Sequence, residues 1–172
     1  VLLRFRVGQV ALMADIEQMF HQVGVVREHR DALRFVWWPN GDVGARSEVF
    51  RMKVHLFGGV WSPSCANYAL LRVADDYGSR FDPDVAETVR KNFYVDDCLK
   101  SVNSEEDAMQ LSAQLSSLLS LGGFRLTKWM SNRRRVLKAI PPGERAKEVR
   151  SMDLSRGRLP VERALEIGRA HV

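Results

Sequence analysis

Two cysteines, six prolines and the absence of any long apolar run set the first limits on this 172-residue chain. Cys65 and Cys98 lie far apart with no CxxC spacing, which excludes a disulfide framework and points to a reducing compartment. His21, His29, His55 and His171 form no ligand spacing with those cysteines, so the sequence disfavours zinc. No apolar stretch approaches the roughly 18 residues that a membrane-spanning helix needs. Residues 1–10 carry Arg4 and Arg6 inside their apolar run and no cleavage pattern, so no signal peptide is expected. Repeats and low-complexity tracts are also lacking. The first residue is not Met, and the reading is of a fragment.

What is present is globular. Hydrophobic residues make up 45% and charged residues 27%, enough apolar surface to build a core and too much for a disordered chain. The net charge of +5 is unevenly placed. Residues 125–158 hold eleven Lys or Arg against three acids, a local excess of eight, so the remainder is slightly acidic. A basic segment beside an acidic one suits a polyanion held near a cation site, and it equally suits a solvated surface.

The pattern along the chain predicts an α+β domain. "VGQVALMAD" (residues 7–15) reads as a buried strand ending at an acid, and Asp15 with Gln18 three later fits a capping box. Residues 30–38 and 47–54 are β-rich and flank the turn chemistry of "PNGDVGA", which predicts a hairpin. Ser62 before Pro63 and Asp82 before Pro83 read as helix starts. "FYVDDCLKSV" reads as two short strands joined at the aspartates. A helix capped by Ser104 then runs to Gly122 or Gly123, and "FRLTKW" is a strand. The expected architecture is a mostly antiparallel sheet with helices packed on one face.

Asp96 and Asp97 raise the central question. Two carboxylates about 4 Å apart repel by about 4 kcal/mol at an effective dielectric near 20. A solvated turn would screen that repulsion, and Asp is a common turn residue. Two-residue hairpin turns prefer Asn-Gly or Asp-Gly, so Asp-Asp is a poor choice for the turn alone. A cation gives the better account, since Mg²⁺ takes carboxylate oxygens and binds substrate phosphates. Asp15 also ends an apolar strand and is the third acid expected to converge there.

These residues carry a resemblance. "MADIEQMFHQV", "DALRFVWWP", "LFGGVWSPSCAN", "NFYVDDCLKS" and "GGFRLTKW" occur in the order of the palm motifs of reverse transcriptases. Their wording is similar to the BEL/Pao group of long-terminal-repeat retrotransposons, over about residues 2–165. The resemblance implies a polymerase palm-like fold and an RNA-directed DNA polymerase using two Mg²⁺ ions, with Mn²⁺ as the other candidate. Asp15, Asp96 and Asp97 would be metal ligands. Lys128 would be a catalytic proton donor to the leaving pyrophosphate. Phe20 would exclude a ribose 2′-hydroxyl, and Phe57, Gly58 and Asn67 would line the nucleotide pocket. Tyr94, Trp129, Arg133, Arg134 and Arg135 would touch nucleic acid. The implied partners are an RNA or DNA template with primer, deoxynucleoside triphosphates and the rest of a retroelement polyprotein, with no membrane, in a cytoplasmic particle.

Departures from the family pattern matter too. Most of the fingers and the thumb are expected to lie outside these residues, so the chain is expected to be inactive alone. "LPVERAL" is followed by "EIGRAHV", which is what a sequencing-adapter sequence encodes, so residues 166–172 read as a non-native tail. Two other functions stay open: a non-catalytic nucleic-acid-binding remnant, and a two-metal nuclease of RNase H type. The nuclease gives no reason for "LFGGVWSPS" or for paired acids in a hairpin.

Overall fold

A computed structural model describes residues 1–150 and Leu154. The proposed tail at 166–172 and the "LPVERAL" segment lie outside the described residues.

Two compact units are present. The first comprises Val1–Glu17 and the chain from Tyr68 on, and the second is Gln18–Asn67. In the first unit the elements in chain order are α1 (Leu2–Phe5) and β1 (Val10–Ile16). After the second unit come α3 (Pro83–Lys91), β4 (Phe93–Tyr94), β5 (Asp97–Val102), α4 (Glu105–Leu121), β6 (Leu126–Ser131), α5 (Arg134–Ala139) and α6 (Lys147–Arg150). The second unit holds β2 (Arg34–Trp37) and β3 (Glu48–Arg51), and α2 (Ser62–Tyr77) carries the chain out of it.

β4, β5, β1 and β6 form one antiparallel sheet in that order. β1 is central because it is apolar on both faces for most of its length. Its residues Val10, Leu12, Ala14 and Ile16 are buried along one face, in the alternation a pleated strand imposes. α4 packs on the sheet through a buried stripe of Ala108, Leu111, Leu115, Leu118 and Leu119. The expected Ser104 cap is present: its hydroxyl accepts from the Asp107 amide at 3.1 Å, and three acids fill the first turn.

The opposite face is not bare, contrary to the one-faced arrangement expected. Met13 packs against a second cluster of Met130, Leu137, Ala146 and Val149. Met13, Leu99 and Met130 are register partners across three strands, so their side chains lie on the same face of the sheet. The short segments after β6 therefore give this face an apolar cover of its own.

Several local expectations change. Asp15 is not a helix cap: β1 runs through it to Ile16, and the 3₁₀ turn Met19–Gln22 that follows has no side-chain cap. The strand expected from residue 30 starts at Arg34, because Arg27–Leu33 forms 3₁₀ turns instead. The β2–β3 hairpin itself is present, pairing Phe35 with Phe50 and Val36 with Val49. α2 does start at Ser62, as expected, and the Ser62 hydroxyl donates to the Leu56 carbonyl at 2.8 Å. Asp82 precedes α3 without capping it, because Gln110 and Gln114 both donate to its Oδ2.

Gly122 ends α4 under a packing constraint. A Cβ built there would sit 2.0 Å from Cγ2 of Val73, which is itself buried. Gly122→Ala is expected to lose about 1–3 kcal/mol through overpacking. Urea unfolding should give a lower midpoint with an unchanged m-value.

Candidate active site

The antiparallel register of β1 with β5 puts Asp15 directly opposite Asp97. Directly opposed residues in such a pair have Cβ atoms about 4.5–5.5 Å apart and point to the same side of the sheet. Asp15 follows Met13 by two residues, so the acids sit one pleat beyond the Met13 cluster, on its face. Asp96 is the next residue along, and its carbonyl accepts from the Ile16 amide at 2.9 Å. Three acids distant in sequence are thus held together by backbone pairing.

The turn between β4 and β5 differs from the expected one. Tyr94 pairs with Asp97, so the two loop residues are Val95 and Asp96, while Asp97 is the first residue of β5. Val95 takes a left-handed φ of 55°. That conformation is strained for a β-branched residue and is normally given to Gly or Asn. Tyr94 is exposed beside the turn.

β6 supplies a cation. Met13 pairs with Met130 but Asp15 pairs with Thr127, so Lys128 and Trp129 together face Ala14. This is a β-bulge, with Lys128 at φ 53°. Its ammonium donates to Asp15 Oδ2 at 3.0 Å. The lysine side chain is 65% exposed and that of Asp15 is 19% exposed, so the charge reaches in from solvent to a largely covered carboxylate. Alongside, Arg125 pairs with Glu17 at 3.0 Å.

The bulge also corrects one expectation. Trp129 is 1% exposed and belongs to the core, so it is not a nucleic-acid contact. The extra residue leaves Lys128 in solvent and Trp129 buried; the Trp129 carbonyl accepts from the Ala146 amide at 3.0 Å. The arginines are of mixed standing. Arg133 is exposed, Arg135 is ion-paired with Glu106, and Arg134 is half-buried with interactions of its own.

Electrostatics mark the acids out. The Asp15 carboxyl is raised above the ordinary carboxylate range, mainly by burial and further by Asp96 and Glu17, with Lys128 opposing. Asp97 is also raised, by burial first and then by Asp96 and Asp15. Lys128 is raised in turn, chiefly by its hydrogen bond to Asp15. Cys98, next to Asp97, is fully buried, and its thiol is pushed up to about 12, which leaves it chemically inert.

Among the described residues, no three His, Cys, Asp or Glu side chains stand as a ready-made metal cage. The acids are neighbours, and Asp15 is turned onto an ammonium. Their chemistry nevertheless fits a hard divalent cation. The donors are all carboxylate oxygens, two of them are raised by burial first and by neighbouring acids second, and a positive charge from β6 already rests against Asp15.

The remaining candidate residues lie in the second unit. Phe20 and Phe57 make a tilted ring pair with centroids 5.6 Å apart. Phe57 is largely exposed, Gly58 holds a positive φ of 86°, and Asn67 is exposed on α2. Neither the Val95 turn nor the Glu17–Arg125 pair was foreseeable from the residues alone. A valine argues against positive φ, and an ion pair across 108 positions leaves no local pattern.

A scan against protein-family models finds no match, and a search of curated proteins finds no relative of this chain. No helix among the described residues is long and apolar enough to cross a membrane.

Raised carboxyls make a stability prediction. A carboxyl with a higher pKa folded than unfolded binds its proton more tightly in the folded state. Its contribution is therefore most favourable at low pH and is lost as pH rises through the folded value. Asp97→Asn should raise Tm at pH 7, by about 2–4 °C for each ~1 kcal/mol relieved. The gain should shrink towards pH 4, where wild-type Asp97 is increasingly protonated. Paired melting curves at the two pH values measure this.

Proposed function

We infer that this chain is palm sequence of a BEL/Pao-type reverse transcriptase, an RNA-directed DNA polymerase working by metal-assisted nucleotidyl transfer. The observation that carries the reading is the opposition of Asp15 and Asp97 across one ladder, with Asp96 beside them. The five palm-like phrases of the sequence support it independently. The four-stranded antiparallel sheet with packed helices is compatible with a palm.

In this reading Asp15, Asp96 and Asp97 hold Mg²⁺, or Mn²⁺ in its place. Bound there, the divalent cation would supply charge stabilisation for phosphoryl transfer. The protein's own groups do the rest. Lys128 keeps its proton beside Asp15 and delivers it to the departing pyrophosphate once the triphosphate is aligned. Tyr94, exposed at the turn, steadies the primer end. By the resemblance, Phe20, whose ring is tilted against that of Phe57, would exclude a ribose 2′-hydroxyl, and Gly58 and Asn67 would line the nucleotide pocket. Arg133, Arg134 and Arg135 meet template–primer phosphates, without base preference. The setting is a retroelement particle in the cytoplasm.

The test joins the chain to the upstream and downstream segments of a related element and measures primer extension on RNA. Asp15→Ala, Asp96→Asn and Asp97→Asn should each reduce extension by at least about 100-fold, about 2.7 kcal/mol of transition-state stabilisation. Extension at the wild-type rate by all three would remove the assignment. In the same assay Phe20→Val should admit ribonucleotides, and unchanged sugar discrimination would remove the gate.

A further inference from the structure

Lys128 is built in an unusual way for an exposed strand lysine. It occupies the extra position of a β-bulge, it holds φ at 53°, and its ammonium stands 3.0 Å from Asp15 Oδ2. Its side chain is mostly in water, while that of Asp15 is mostly covered. An exposed side chain gains little from such a contact on its own account. The acids gain more: Asp15 faces Asp97 across the ladder, and Asp96 adjoins both. With no positive charge nearby, three carboxylates would share one rim of a partly covered face.

The geometry points to Lys128 as an internal counterion, occupying Asp15 when no divalent cation is bound and leaving it when one arrives. The inference rests on reading the three acids as cation ligands. It adds that the site is never left uncompensated and that cation entry is coupled to release of the lysine. A lysine released by the incoming cation becomes free to reach a phosphate just when the site is loaded. The exposure of Lys128 fits this, because an arm held from the solvent side can withdraw without disturbing the core. The bulge fits it as well. A regular strand would bring residue 129, not 130, opposite Met13 and would have no surplus position from which to reach Asp15.

Mn²⁺ titration of the full chain, with free ion followed by electron paramagnetic resonance at low salt, tests the inference. Lys128→Met keeps the stem and removes the charge. It should bind Mn²⁺ roughly two- to fivefold more tightly than wild type, the range of an exposed ion pair's coupling. Lys128→Arg restores the charge and should return the affinity to the wild-type value, which a purely structural role for the side chain would not do. Without metal, Lys128→Met should melt lower than wild type, and Mn²⁺ should raise its Tm by more. Tighter binding by Lys128→Met with silent wild type would also support the counterion. Equal affinity in wild type and Lys128→Met, with binding lost in Asp15→Asn, would overturn the counterion and leave the metal reading standing. Binding unaltered by Asp15→Asn and Asp97→Asn, or no binding by any variant, would overturn both.

Discussion

The pairing of one central strand with its two neighbours governs this molecule. β1 is hydrogen-bonded to β5 on one side and β6 on the other, and each ladder delivers a charged group to the same end. β5 brings Asp97 opposite Asp15, and the bulge in β6 brings Lys128 onto Asp15. Side-chain period in a strand is two, so a slip of one residue in either ladder would send these groups to the opposite face. The apolar residues fix the register. Leu12, Ala14 and Ile16 must face one core while Met13 shares the other side with its register partners Leu99 and Met130. Burial of ordinary hydrophobic side chains thereby sets the position of the charges.

That arrangement opposes stability. Burial and mutual repulsion raise Asp15 and Asp97, so at neutral pH both carboxylates are less favourable in the folded chain than in the unfolded one. Asp31 and Glu87 behave the other way: exposed and paired with Arg51, Arg34 or Lys91, they are lowered. The contrast separates acids that serve the fold from acids that the fold merely carries. A free polypeptide with no use for the cluster would lose nothing by replacing Asp97 with a neutral strand residue.

Much of this was legible in the residues, because periodicity and punctuation are local. β1, the Ser104-capped helix, the hairpin around "PNGDVGA" and the strand through "LTKW" all announce themselves by alternation or turn chemistry. Convergence of Asp15 with Asp96 and Asp97 was also inferable, since each acid ends an apolar run. The bulge was not. Nothing in "RLTKWM" says that Lys128 will take a left-handed φ or that Trp129 will be core, because the register shift arises only once β1 and Met130 have packed. Trp129 beside a basic run looks like a nucleic-acid contact in sequence, and tertiary packing overrides that appearance. Asp15 likewise has capping chemistry around it, but the ladder to Thr127 and Asp97 claims it for the strand.

Strain gives an independent line of argument. Among the described residues of the first unit, the non-glycine residues with left-handed φ are Val95 and Lys128. One precedes Asp96, and the other donates to Asp15. Val95 lies in the β4–β5 turn and Lys128 on β6, 33 positions apart by their residue numbers, yet both flank the same three acids. Unfavourable backbone of this kind persists only where its surroundings over-determine it, and it gathers at sites where geometry matters more than stability. Val95 could be relieved by glycine, and Lys128 by a regular strand. That neither relief has been taken, at the one rim where like charges are also crowded together, is difficult to explain by folding alone. It is what the proposed cation site would require.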